Sequence, residues 1–521
     1  MSDIKILDCT LRDGGYINNW HFGNENVKKI IHNLEDANID IVECGFIRDV
    51  EYDAEESVYS SMGQMAKMIA PKKKDVLYAV MIEHHNRVEN RIPQYDGSAA
   101  DIIRLTFRRK EWIEAKSVVK NLIAKGYKVC VQPVGTVSYD DESLLKLIKD
   151  VNELKPYAFY LVDTLGVMYR REMRRLYYLI DNNLSSDIYL GFHSHNNLQM
   201  SFANAQELIR MARQRNVIVD TSCYGMGRGV GNLATELFAD YINNNIGQKY
   251  SLSPILNVVD TYLMPIYAVQ RWGYDLPYFL AATFKCHPDY ASYLMSKDTL
   301  SIEKIEKLLS LIPISMRSEY NHELIESLYF EMQSYDVDDS ASFAKLKNNI
   351  SDRDVLIIGP GASIATNRDM ILNFMDKCYS ITTNFADNHF KTDAIFVSND
   401  KRYSDLKLDS SSDIMVTSNL KSVDSKIMVF DYASLLGEGD TSDNSAAMLI
   451  RILKKIGVRK IFIAGLDGFD VNSSVNYALA TYKKSLDYDT VKKKNEDISK
   501  QLKLALNGVE YEFITKTKYE I

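Results

Sequence analysis

From the N-terminus to about residue 250, short apolar runs alternate with amphipathic stretches, and this limits the fold more than any other feature of the chain. The apolar runs lie at 4–8, 39–44, 76–82, 101–106, 127–132, 158–163, 188–193 and 217–222. Stretches with apolar residues at helical spacing lie between them, at 24–37, 112–125, 141–154, 170–181 and 199–213. Eight such strand runs in about 230 residues match the count of a TIM (β/α)8 barrel. An open doubly wound sheet would also alternate, but eight repeats with no glycine-rich dinucleotide turn favour closure. In a barrel the chemistry sits at the C-terminal ends of the strands. Asp13, Glu43, Gln132, Asp163, His193, His195 and Cys223 fall at or just after those ends.

The 521 residues suffice for two or three domains. The expected division is an α/β barrel over 1–250, a helical extension over 251–345, and a Rossmann-like α/β domain over 346–521. The extension is aromatic and shows no strand alternation, with helices expected at 253–272 and 302–311. Alternation then restarts, with strands expected at 354–359, 379–383, 394–398, 414–417, 427–431 and 460–464, and a helix at 444–456.

A formal net charge of -8 with both signs interspersed argues against a nucleic-acid partner, which needs a basic face. No secretory leader is recognisable, and no uninterrupted apolar run reaches the roughly 18 residues of a membrane span. The six cysteines are scattered without a CxxC pair, which fits a reducing cytoplasm.

His193 and His195 are two apart on a strand end, so their side chains point the same way. Closing the barrel brings Asp13 beside them. Two imidazoles and a carboxylate leave positions open on an octahedral ion, so Mn²⁺, Mg²⁺, Co²⁺ or Fe²⁺ suits the set better than a closed tetrahedral zinc. Mn²⁺ is the first expectation. A 2-oxo acid such as pyruvate can chelate such a cation through carboxylate and keto oxygens. Negative charge building on that oxygen can be met by the planar, permanently charged Arg12. Arg12 could instead serve as an ion-pair partner of Asp13.

Three segments carry a family resemblance: Asp8-Cys9-Thr10-Leu11-Arg12-Asp13-Gly14, the His193/His195 pair, and Tyr224-Gly225-Met226-Gly227-Arg228-Gly229-Val230-Gly231-Asn232. In this order they resemble the DRE-TIM metallolyase superfamily, and most closely its 4-hydroxy-2-oxovalerate aldolase-type pyruvate aldolases. The resemblance implies metal ligation by Asp13, His193 and His195, with Asn232 touching the metal or orienting a histidine, and enolate stabilisation by Arg12. The acyl-CoA-condensing members read Arg-Asp-Gly-Glu-Gln where this chain has Arg12-Asp13-Gly14-Gly15-Tyr16. The aldolases place a histidine base where this chain has Tyr16. The proton shuttle therefore falls to Tyr16, to His21 in the following loop, or to Tyr290 in a segment loosely like one bearing an aldolase tyrosine. A reference pKa near 6.5 suits His21 to the task; packing on Trp20 is its other reading.

The expected function is a divalent-metal aldolase forming or cleaving a 4-hydroxy-2-oxo acid from pyruvate and an aldehyde. The alternatives are an acyl-CoA-dependent synthase on the same barrel and a nucleotide-sugar binding or transfer protein acting through its C-terminal domain. In that domain Gly359-Pro360-Gly361-Ala362-Ser363 after a strand could cradle phosphates. Gly359, Gly361, Ser363, Asn384, Asn399 and Ser442 are its candidate nucleotide contacts. Their order resembles bacterial sialyltransferases and pyrophosphokinase-like domains, which associates the chain with surface-polysaccharide precursors. A homo-oligomer is expected, because aromatic, Met-rich helices follow the barrel.

Overall fold

A computed structural model describes residues 2–386, 390–405, 412–420, 427–439, 441–472, 476–478 and 488–521. The chain divides into two compact units, Met1–Ser292 with Pro313–Tyr320, and Tyr293–Ile312 with Asn321–Ile521.

The first unit is a closed parallel barrel of eight strands: β1 Ile4–Asp8, β2 Ile41–Ile47, β3 Leu77–Glu83, β4 Ile102–Phe107, β5 Lys128–Pro133, β6 Ala158–Asp163, β7 Tyr189–Ser194 and β8 Val217–Thr221. Closure is direct: Leu7 on β1 is in register with Ile41 on β2 and with Asp220 on β8. A two-residue strand, Val58–Tyr59, adds to the outer end of β2. β2 runs past its expected end because Gly45, at φ +136°, carries the chain through a bulge. A β-carbon there would meet the Ser57 carbonyl oxygen at 1.8 Å.

Alternate strand residues point into the barrel and fill it in layers. β2, β4, β6 and β8 supply Ile41, Ile102, Ala158 and Ile218, while β1, β3 and β5 supply Leu7, Ala79 and Cys130. Two residues further along the even strands, the apolar filling gives way to Glu43, Arg104, Tyr160 and Asp220, all buried. Gly191 on β7 makes room for this change, since a β-carbon on it would lie 2.4 Å from the Tyr160 ring. That ring lies under the Arg104 guanidinium, 4.9 Å from centroid to carbon. The upper barrel is therefore a charged plate resting on an apolar plug.

The helices expected around the barrel form over Asn24–Asp36, Trp112–Ala124, Asp141–Leu154, Arg170–Asp181 and Ser201–Met211. The single helix expected at 253–272 is instead Leu252–Val258 and Met264–Val269 joined by a π turn, Val259–Leu263. Taken together, Leu252–Val269 reaches membrane-spanning length and a mean hydropathy of 1.2, by length and composition alone. Polar Ser253, Asn257, Asp260 and Thr261 break the apolar run in sequence, while Ile255, Val258 and Leu263 pack into the barrel's outer core.

The second unit contains a seven-stranded, all-parallel sheet: β9 Val355–Ile358, β10 Tyr379–Thr383, β11 Ala394–Val397, β12 Asp413–Thr417, β13 Met428–Phe430, β14 Lys460–Ala464 and β15 Glu510–Phe513. The spatial order is β13-β12-β11-β10-β9-β14-β15. Succession reverses between β9 and β14, which is where open α/β sheets bind ligands. Sequence reading missed β15 and the helix Tyr488–Leu506 before it. β15 is an edge strand with three of its four residues exposed, so it carries no apolar signature.

Candidate active site

The chain leaves β1 through a turn in which Arg12 and Asp13 both donate their amides to the Cys9 carbonyl (3.1 and 2.8 Å). Ser57 Oγ donates to the Leu11 carbonyl (2.6 Å), and Trp20 Nε1 donates to that of Arg12 (2.8 Å). The turn is thus pinned from both sides, with Arg12 and Asp13 buried at the barrel's top.

Asp13 accepts from Arg12 Nη1 at 2.5 Å and from Asn232 Nδ2 at 2.6 Å. One ligand-type atom each from Asp13, His193 and His195 lies within 4.8 Å of the others. The two imidazole planes stand at 87°. The structure therefore brings together Arg12, Asp13, His193, His195 and Asn232, as expected. Gly227 lets the glycine-rich loop lie on this cluster, since a β-carbon there would stand 2.8 Å from Asp13 Oδ2.

Beneath the cluster runs a chain of buried ion pairs. Arg12 Nε donates to Glu43 Oε2 (2.9 Å), which also accepts from Arg104 Nη1 (2.5 Å). Arg104 Nη2 pairs with Asp220 Oδ2, and the same oxygen lies 2.9 Å from His193 Nδ1. Gln132, with its amide oxygen turned to Arg104, accepts from Nε at 2.6 Å. Arg104 and Asp220 were not singled out from sequence. Their only signal there is a charge in the middle of an otherwise apolar strand.

The electrostatics favour an ionised Asp13 carboxylate and a neutral His195 imidazole. Burial would raise Asp13, but Arg12, the two histidines and the Asn232 hydrogen bond hold it well below the usual carboxylate range. Burial, opposed by the Asp13 charge, pushes His195 down to about 4, so one of its ring nitrogens carries a free lone pair near neutrality. Burial also works against charge on Asp220, yet Arg104 and His193 keep it lowered. A carboxylate on Nδ1 fixes the His193 tautomer and leaves Nε2 as the ligand.

Several buried polar atoms here have no hydrogen-bond partner: Arg12 Nη2, His195 Nδ1, Asn232 Oδ1, Glu43 Oε1 and Asp220 Oδ1. Leaving such atoms unsatisfied costs about 1–3 kcal/mol each, more for charged groups. A carboxylate, two imidazoles and an amide oxygen are a fitting donor set for a divalent cation, and Arg12 Nη2 is a fitting donor for an anionic ligand beside it. Asp220→Asn should lower metal affinity about 10–100-fold, because it weakens the partner that orients His193. Titration of the variant with Mn²⁺, followed by the electron spin resonance of the free ion, measures this, and unchanged affinity would remove Asp220 from the site.

The expected proton carriers sit differently. Tyr16 lies on the rim, its ring 4.8 Å from that of Trp20, and burial with the Glu83 and Asp13 charges raises its phenol. His21 turns outward: Nδ1 is 2.9 Å from the Asn19 carbonyl and Nε2 is 3.1 Å from Glu56. Left-handed backbone at Asn19 and Trp20 sends the indole inward and the imidazole out, which corrects the expectation that His21 reaches the mouth. Tyr290 is buried, with its hydroxyl 2.9 Å from the carbonyls of Met316 and Glu319, so it holds a neighbouring segment by its main chain.

The nucleotide candidates all stand at the C-terminal edge of the second sheet, on three loops and before the helix Ser445–Ile456. The amides of Gly359 and Gly361 donate to Ala464 and Gly465 (2.8 and 2.9 Å). Ser363 gives its amide and hydroxyl to Asp467 (2.7 and 2.5 Å). These donors are engaged, so the loop joins two strand ends instead of cradling phosphate. Asn384 Oδ1 accepts from Ser398 N, and Asn399 Oδ1 from Arg402 N (3.1 Å each). The Ser442 hydroxyl is buried without a partner.

The chain is similar to several known proteins. The chain is 27% identical over 235 residues to an oxaloacetate decarboxylase of Mycobacterium tuberculosis, covering 44% of this chain and 67% of that protein. It is 22% identical over 272 residues to a 4-hydroxy-2-oxovalerate aldolase of Bacillus cereus, covering 51% and 78%. The N-terminal domain of a candidate aldolase from Bacteroides vulgatus superposes with a TM-score of 0.50 and 25% identity, over 58% of this chain and 99% of that one. A family model described as HMGL-like matches residues 3–261, so the barrel is similar to the HMGL-like, DRE-TIM metallolyase family.

Proposed function

We propose that the barrel is a divalent-metal-dependent carbon–carbon lyase of 2-oxo acids, and within that class an aldolase that joins or splits pyruvate and an aldehyde. The observation that carries the reading is the convergence of Asp13, His193 and His195 beside the unpartnered Arg12 Nη2. A cation held by that triad, with Mn²⁺ the first choice, supplies Lewis acidity to a 2-oxo acid.

In the splitting direction the 4-hydroxyl passes its proton to solvent water and the bond between the third and fourth carbons breaks. The aldehyde leaves, and the electron pair passes toward the keto oxygen of the three-carbon fragment. Arg12 meets that developing charge. Its guanidinium is fixed by Glu43 and Asp13, so it needs no rearrangement as charge appears. Tyr16, whose phenol is held protonated, is the proposed donor that returns a proton to the methyl carbon.

One observation favours a second reading within the same class. His21 turns outward to Asn19 and Glu56 and does not stand at the Tyr16 position. Decarboxylation of oxaloacetate yields the same three-carbon enolate without a base for a hydroxyl proton, and a relative bears that name.

Pyruvate incubated with the protein and Mn²⁺ in heavy water should take deuterium into its methyl group, read by mass spectrometry, and chelation should stop it. No incorporation with Mn²⁺, Co²⁺ or Mg²⁺ would refute both readings. Pyruvate release from 4-hydroxy-2-oxopentanoate or from oxaloacetate then separates them.

A further inference from the structure

A cavity of about 630 Å³ opens beside the metal-type cluster, lined by Tyr16, Arg228, Arg271, Trp272 and Tyr278, with Asp275 its one acid. Several contacts tie it to the centre. Tyr16 feels the Asp13 charge and stands 5.9 Å below the Arg228 guanidinium. Arg228 follows Gly227, the residue whose backbone lies on Asp13, and its charge reaches His195. Gly229 lets the same loop pass the Tyr278 ring, which a β-carbon would meet at 2.6 Å. The cavity therefore neighbours the centre through Tyr16 and the loop that carries Gly227 and Arg228.

Its size and charge do not match a small apolar aldehyde. A volume in the range of pockets for drug-sized ligands far exceeds what a two- or three-carbon aldehyde fills. Both arginines are exposed, and neither is paired with a carboxylate among the described residues. Arg228 donates Nη2 to His287 Nε2 at 3.0 Å, which aims the guanidinium, and the far ring nitrogen of His287 lies 3.6 Å from Asp289. Such forks bind planar or tetrahedral oxyanions through paired N–H groups.

We propose that Arg228 and Arg271 form an oxyanion subsite, so that the aldehyde partner carries a phosphate or carboxylate remote from its reacting carbon. This rests on the pyruvate–aldehyde reading. The aromatic walls, Trp272 above all, flank the carbon chain between the two ends. An anionic acceptor also explains why the loop after β8 places a guanidinium at the mouth of a site that already holds Arg12.

The test has a binding arm and a turnover arm. Non-reacting probes, glycerol 3-phosphate, 3-hydroxypropanoate and neutral glycerol, are titrated by tryptophan fluorescence in a Trp20→Phe, Trp112→Phe background that leaves Trp272 on the cavity wall as the reporter. The two anions should bind at least about tenfold more tightly than glycerol, and Arg271→Gln or Arg228→Gln should erase about a tenfold advantage. Arg271→Lys should recover part of it, a rescue that a misfolded protein would not show. Which anion binds better identifies phosphate or carboxylate as the group. In turnover with pyruvate and Mn²⁺, erythrose 4-phosphate or succinic semialdehyde should exceed erythrose or propanal in kcat/KM, and added salt should shrink the difference. Equal binding of glycerol and the anions overturns the subsite. Loss of pyruvate deuteration in the unmodified protein would instead overturn the aldolase reading, so the two failures are distinguishable.

Discussion

Arg12→Lys lowers metal-dependent pyruvate deuteration about 10²–10³-fold while leaving Mn²⁺ affinity within roughly tenfold of the parent. The expectation follows from how the guanidinium is divided. Nε is held by Glu43, Nη1 by Asp13, and Nη2 is buried with no partner. Only a planar fork can keep two anchors and present a third donor at a fixed angle. An ammonium can replace either ion pair but cannot make both and still reach the oxygen where charge develops. A group that acts when charge appears changes the rate more than the binding of metal or ground state. The competing account makes Arg12 a structural partner of Asp13 and Glu43 alone. It predicts that metal affinity, thermal stability and rate all fall together. Measuring the three on one preparation decides between them, and a rate within fivefold of the parent would remove Arg12 from the chemistry.

What the sequence reveals and what it hides follow from the range of the interactions. All eight barrel strands were visible, because a parallel strand buried on both faces reads as an unbroken apolar run. β6 and β1 fall where expected to the residue. Asp13, Arg12 and the histidine pair were legible because each sits at a strand end beside a short motif. The charged plate beneath them was not. Arg104 looks like an isolated charge in β4, and its partners Glu43 and Asp220 are 61 and 116 residues away. Only barrel closure makes them neighbours. His21 failed for a local reason: two successive left-handed residues cannot be read from Asn19-Trp20, so the side chain expected inside points out. The edge strand β15 was missed because exposure removes the apolar contrast on which sequence reading relies.

Arg104→Met is the second large effect. It should destabilise the barrel unit by about 3–5 kcal/mol and lower metal affinity with it. Arg104 is fully buried and bridges Glu43 and Asp220, which are buried as well. Methionine fills much of its volume, so packing over Tyr160 is largely kept and the loss is electrostatic. Two carboxylates would then share a dry plate with one remaining arginine. Asp220 would no longer be held toward His193, and Glu43 would pull on Arg12 alone. The three tryptophans of the chain, Trp20, Trp112 and Trp272, all lie in the barrel unit, so urea unfolding followed by tryptophan fluorescence reports that unit selectively. A combined Glu43→Gln, Arg104→Met, Asp220→Asn variant separates two origins of the loss. If unpaired charge is the cause, neutralising both acids returns much of the stability, since a buried ion network replaced by neutral groups of similar shape is often no less stable. Metal affinity should stay low in that variant, because His193 still lacks its carboxylate. Recovery of metal binding along with stability would show that the plate acts only through folding and does not orient the imidazole.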